Sequence, residues 1–145
     1  MSFSIWGERG SIDILAYHRL TGLVLVVEVK SVVPDSQATL HGLDRKARIA
    51  RKLAEDRGWA CRGVARLLVV GASATARRRI HALDATYGTA LPTRGSDVRR
   101  WVREPHAPIA GLMFVAYDRD GSARPTGAVR QRVTRRRQAP RPTRV

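Results

Sequence analysis

Ser11-Ile12-Asp13-Ile14-Leu15-Ala16-Tyr17-His18, Arg19-Leu20-Thr21-Gly22, Leu23-Val24-Leu25-Val26-Val27-Glu28-Val29-Lys30-Ser31 is a run of two apolar, β-branched segments around a four-residue connection. Segments of this length and composition, punctuated by a Thr-Gly corner, predict a β-hairpin over residues 11–18 and 23–31. If the hairpin closes with His18 opposite Leu23, paired residue numbers sum to 41. Asp13 then falls across from Glu28, and Ser11 across from Lys30. Period-two alternation puts Asp13, Leu15 and Tyr17 on the same sheet face as Val24, Val26, Glu28 and Lys30.

Outward from the hairpin, Pro34-Asp35-Ser36 breaks the chain and supplies a helix cap. Leu40, Leu43, Ala47, Ala50 and Ala54 then recur at helical spacing, so a helix is expected to end near Arg57-Gly58. Arg45, Lys46, Arg48, Arg51 and Lys52 lie between those apolar positions and are expected on its exposed side. Residues 64–70, bounded by Gly63 and Gly71, read as a strand buried on both faces and central in the sheet. A second helix is expected from Ala76 through Ile80 and Leu83 to Tyr87, and a third, short one over residues 96–103. A last strand follows over residues 109–117. The order of elements implies an α/β fold with a mixed sheet.

Composition narrows the partners. The chain of 145 residues carries 27 Lys+Arg against 12 Asp+Glu, a net charge of +15, which favours a polyanion, nucleic acid before an anionic membrane surface. Only Lys30, Lys46 and Lys52 are lysines. The single cysteine, Cys61, excludes an internal disulfide and multi-cysteine zinc sites and fits a reducing compartment. The longest apolar run is too short to span a bilayer, so the protein is expected to be cytoplasmic, with no membrane partner. Residues 1–118 are expected to form one domain. Residues 119–145, Arg-rich and poor in apolar residues, are expected to be a disordered basic tail.

The hairpin also carries the candidate chemistry. Like charges directly opposed across a strand pair are destabilising, so Asp13 opposite Glu28 calls for a neutralising partner. Two carboxylates at cross-strand distance can share one hard cation, with the Val29 backbone carbonyl and waters completing the shell. Mg²⁺ is the natural candidate, and Mn²⁺ can stand in for it. The competing reading is that Glu28 and Lys30 are ordinary charges at the end of an exposed strand.

With residues 10–15 and the Glu28-Val29-Lys30 segment in view, the sequence resembles the Asp…Glu-x-Lys core of the PD-(D/E)XK nuclease superfamily. Ile12 stands where that motif has proline. Residues 6–59, with Gly7-Glu8-Arg9-Gly10-Ser11 and Leu43-Asp44-Arg45-Lys46-Ala47-Arg48, are similar to a nuclease-like domain that follows a helix-turn-helix in some actinobacterial regulators. The motif covers about a third of the chain. The resemblance implies a restriction-endonuclease-like core, a four-stranded mixed sheet flanked by helices, and Mg²⁺-dependent phosphodiester hydrolysis. It implies Asp13 and Glu28 as metal ligands, Glu8 as an outer carboxylate, and Lys30 as the group that orients water or stabilises developing charge. DNA is the expected substrate, with RNA next. Arg45, Lys46, Arg48, Arg51, Lys52, Arg77 and Arg78 are the candidate phosphate contacts. A homodimer, and a helix-turn-helix partner supplied separately, are the protein partners the resemblance implies. The alternative function is a DNA-binding or regulatory module with a catalytically silent nuclease fold.

Overall fold

The structure, a computed structural model, describes residues 1–116 except Trp6 and the Glu8 side chain. The expected tail over residues 119–145 and the domain boundary at 118 lie outside the described residues. Strands β1 (Ser2–Ile5) and β2 (Glu8–Ser11) form a two-stranded antiparallel ribbon. The main sheet contains β3 (Ile14–His18), β4 (Leu23–Lys30), β5 (Gly63–Gly71), β6 (Thr93–Arg94) and β7 (Ala110–Val115), in the order β3-β4-β5-β7-β6. β3 is antiparallel to β4, and the other neighbours are parallel. The fold is therefore α/β with a mixed sheet of five strands, where four were expected. The additional strand, β6, has two residues and follows Pro92, which leaves no apolar run to read.

The hairpin register is the expected one. His18 pairs with Leu23 and Ile14 with Val27. Gly22 has φ +69°, and a Cβ there would lie 2.7 Å from the Ala60 carbonyl oxygen, so the connection requires glycine. The first expected strand is broken in two, however: Ser11 ends β2 opposite Ser2, not opposite Lys30, and Asp13 sits in a bend just before β3. Between them Ile12 is fully buried, and its N–H donates to the Met1 carbonyl at 2.7 Å. Burying Ile12 beneath the ribbon turns the chain out of strand geometry at this point.

Helix α1 (Ser36–Glu55) is capped by Asp35, whose carboxylate accepts from the Ala38 N–H at 2.9 Å. Its buried stripe is Leu43, Lys46, Ile49, Ala50, Leu53 and Ala54. This corrects the expected exposure of Lys46, which lies in the middle of the inward face. α1 packs on β4 and β5 through the main core, which also contains Val24, Val26, Leu68 and Val70. Fully burying one such aliphatic side chain contributes about 1.5–3 kcal/mol.

The helix expected over residues 76–87 is two helices, α2 (Ala74–Ala82) and α3 (Asp84–Ala90), separated at Leu83. A continuous helix would send Leu83 inward after Ile80. With the break Leu83 is 44% exposed, while Tyr87 and Leu91 are buried. Both helices contribute to the core on the α1 side of the sheet. α4 (Gly95–Arg103) covers the other side, where Val98 and Trp101 pack on Leu23, Val27, Ala65 and Leu67. Trp101 donates its indole N–H to the Ala107 carbonyl at 2.6 Å. Trp59, after α1, stacks on Tyr17 with ring centroids 5.0 Å apart. No helix among the described residues is long and apolar enough to cross a membrane.

Candidate metal centre and cationic groove

Asp13, Glu28 and Lys30 meet where β4 ends and β3 begins. Because β4, β5 and β7 are parallel, this is the carboxyl edge of the sheet, the usual place for ligands in open α/β sheets. Glu28 faces α1 and is 7% exposed. The Asp13 carboxylate is held against β4 by the Val29 N–H, which donates to Oδ2 at 2.7 Å. Thus Asp13 reaches β4 between Glu28 and Lys30 through a bend, without the strand pairing that the sequence suggested. Val29 itself is 37% exposed.

Each oxygen of Glu28 has an ammonium partner. Lys30 Nζ lies 2.8 Å from Oε1, and Lys46 Nζ donates to Oε2 from within α1. Glu28 and Lys46 are the buried charged residues among those described. A buried carboxylate and a buried ammonium are tolerated only as partners, since either alone pays the full cost of desolvation. The hydrogen bond to Glu28 pushes the Lys30 pKa above its ordinary value; burial opposes this, and the charges of Glu28 and Asp13 add to it. Lys30 is therefore a cation at neutral pH, suited to holding a water or an anionic oxygen and not to acting as a base.

The donor set is right in kind for a hard divalent cation, being two carboxylates beside a strand end with backbone carbonyls. In number it is minimal: no cluster of three or more His, Cys, Asp or Glu that could hold a metal occurs among the described residues. A cation reaching Glu28 competes with two ammonium groups. The backbone of Glu8 belongs to β2, and its side chain, expected as an outer ligand, lies outside what is described.

The other expected contacts fall into two groups. Arg45 and Arg48, with His41 and Asp44, line an open groove of about 580 Å³ along the outer side of α1. A neighbouring hollow of about 410 Å³ shares Asp44 and Arg48 and adds Arg51, Val64 and Arg66. Asp13, Glu28 and Lys30 do not line either one. Arg51 is exposed and donates to the Cys61 carbonyl at 3.0 Å, while Lys52 pairs with Asp56 one turn on. Arg77 and Arg78 belong to α2, with the Arg77 guanidinium 4.5 Å from the Phe114 ring centroid.

Two members of this region were not legible as such. Arg66 stands inside the apolar β5 run and points to the α1 side, where its guanidinium lies 3.0 Å from Asp44 Oδ1. The signal for it was a lone charge within a central strand, which needs a polar partner on one face. The spacing of Lys46, three residues from both Leu43 and Ile49, is compatible with an inward place, but the stripe through Leu40, Leu43, Ala47, Ala50 and Ala54 satisfies the helical period equally and leaves it outside. No protein-family model, curated protein or solved structure matches the chain.

Proposed function

We propose that the chain is a metal-dependent nuclease that hydrolyses phosphodiester bonds, in DNA first and RNA second, at Asp13, Glu28 and Lys30. The observation that carries this reading is the convergence of the three side chains at the carboxyl edge of β4, with Asp13 tied to Val29 and Lys30 tied to Glu28. Asp13 and Glu28, with the Val29 carbonyl, would hold Mg²⁺ or Mn²⁺. When bound, the ion supplies Lewis-acid polarisation of a phosphoryl oxygen and neutralises charge.

The residues themselves account for the rest. Two carboxylates and two ammonium groups leave the site formally neutral, and a divalent cation brings it to two positive charges. A phosphodiester carries one negative charge and gains a second as hydroxide adds, so the loaded site is complementary to that state more than to the substrate. Lys30, partly exposed, is free to turn its ammonium toward an incoming water or phosphoryl oxygen. Arg45, Arg48 and Arg51 offer cationic contacts along α1 that position a polyanionic backbone without reading its sequence.

A second reading, a nucleic-acid-binding module with a silent site, is favoured by one observation: Lys46 already occupies Glu28 Oε2. Asp13→Asn separates the two. Its amide oxygen can still accept from Val29, and Asp13 is exposed, so the fold should persist. Wild type is expected to cleave duplex or single-stranded DNA with Mg²⁺ or Mn²⁺, and Asp13→Asn to bind the same DNA without cutting it. Binding without cleavage by either protein, on DNA and RNA alike, would establish the silent module.

A further inference from the structure

α1 places a lysine where a leucine would ordinarily sit. Lys46 lies in the buried stripe between Leu43 and Ile49, and its side chain is 11% exposed. An ammonium there costs desolvation that an aliphatic residue would not, so packing alone does not account for it. Neutralising Glu28 does not require it either, because Lys30 already holds Oε1. Two ammonium groups are set against one buried carboxylate, and the local charge balances only when Asp13 is counted with them.

The two lysines differ in their freedom to leave. Lys30 is 39% exposed in its side chain and can swing into water. Lys46 is enclosed by the helix that carries it and the strand it faces, so its charge stays beside Glu28 whatever enters the site. We infer that Lys46 acts as a built-in counter-cation that competes with a divalent cation for the Glu28 carboxylate and so sets the metal affinity of the site. This inference rests on the metal-dependent reading of Asp13 and Glu28.

A purely structural role and the counter-cation role predict opposite signs. Loss of a structural lysine would loosen Glu28 and weaken metal binding. Loss of a competing charge should tighten it: a unit charge opposing a dication from a few ångströms away is worth about tenfold or more in affinity even with strong screening. The probe is Mn²⁺ alone, followed by calorimetric titration and by the shift in melting temperature. The proteins are wild type, Lys46→Gln, which keeps a hydrogen-bond donor for Glu28, and Arg103→Gln, which removes an exposed charge on α4. Should Lys46→Gln fail to stay folded, Lys46→Met, which fills the same space with an apolar chain, takes its place.

The expected result is Mn²⁺ binding at least about tenfold tighter in Lys46→Gln than in wild type, with Arg103→Gln unchanged and with Mn²⁺ raising the melting temperature of the Lys46 variant most. Metal binding only in the Lys46 variant, with a wild type that neither binds nor cleaves, would overturn the nuclease reading and uphold the role of Lys46. Equal or weaker Mn²⁺ binding in the variant, beside a wild type that binds metal and cleaves, would overturn the role of Lys46 and leave the nuclease reading in place. Absence of Mn²⁺ binding in every protein would overturn both.

Discussion

Lys46 and Arg48 stand two residues apart on α1, and about 200° of rotation around the helix axis sends them to opposite sides. Lys46 is buried against Glu28; Arg48 is exposed in the groove. The two cations contribute to the same net charge and do different things. The inner one is bound up with stability and with the electrostatics of a carboxylate, while the outer one is available to a polyanion. Net charge, which counts them alike, therefore overstates the surface this helix can offer to nucleic acid.

The largest effect expected from that contrast belongs to the acid that the inner cation serves. Glu28→Gln removes the charge that balances the buried Lys46 ammonium and should cost about 4 kcal/mol in urea denaturation, the range for breaking a buried pair by removing one partner. Lys46→Leu should cost less, about 2 kcal/mol, because Glu28 keeps Lys30. A loss no greater than that of Arg48→Ala, expected within about 0.5 kcal/mol, would erase the distinction between the two faces.

On the outer face the readout is binding. Replacing Arg45, Arg48 and Arg51 together by Ala should lower DNA affinity about tenfold at moderate salt and flatten the logarithmic salt dependence by up to about 2.7 units, one phosphate contact per arginine. Cleavage at saturating DNA should persist. An unchanged slope would show that the groove does not carry the nucleic acid.

The smallest effect concerns pH. The folded-state pKa of Lys30 is raised by its bond to Glu28, so its stabilisation is fully present below the unfolded value, about 10.4, and is lost as pH rises through the folded one. The stability difference between wild type and Lys30→Met should be constant from about pH 6 to 9 and shrink above about 10.5. Solvent screening of this partly exposed pair keeps the whole difference under about 1 kcal/mol. A difference that grew with alkalinity would reverse the assigned sign.

Much of this was legible in local pattern. The two apolar runs and the short connection through Gly22 specified the hairpin and its register, Asp35 marked the start of α1, and the Gly63 and Gly71 punctuation marked the central strand. These features depend on a few neighbouring residues and on periods of two or 3.6, which a sequence displays directly. The break at Leu83 was not displayed, because Ala76, Ile80, Leu83 and Tyr87 satisfy helical spacing whether or not the axis bends between them. The two-residue β6 was invisible for another reason: it exists only through its pairing with β7.

For the candidate site the division is similar. The sequence by itself determined that Asp13, Glu28 and Lys30 come to one end of one hairpin, since a register set by two apolar runs and a short connection carries its charged residues with it. It did not determine how they are held. The bend that brings the Asp13 carboxylate to the Val29 N–H follows from burying Ile12 under the β1–β2 ribbon. The second ammonium on Glu28 follows from the rotation of α1 against β4. That rotation is a property of the whole core: a shift of the buried stripe by one position leaves the helical pattern acceptable and moves Lys46 between water and Glu28. Only the packed structure, in which Leu43, Ile49, Ala50 and Leu53 must all bury at once, selects the inner place.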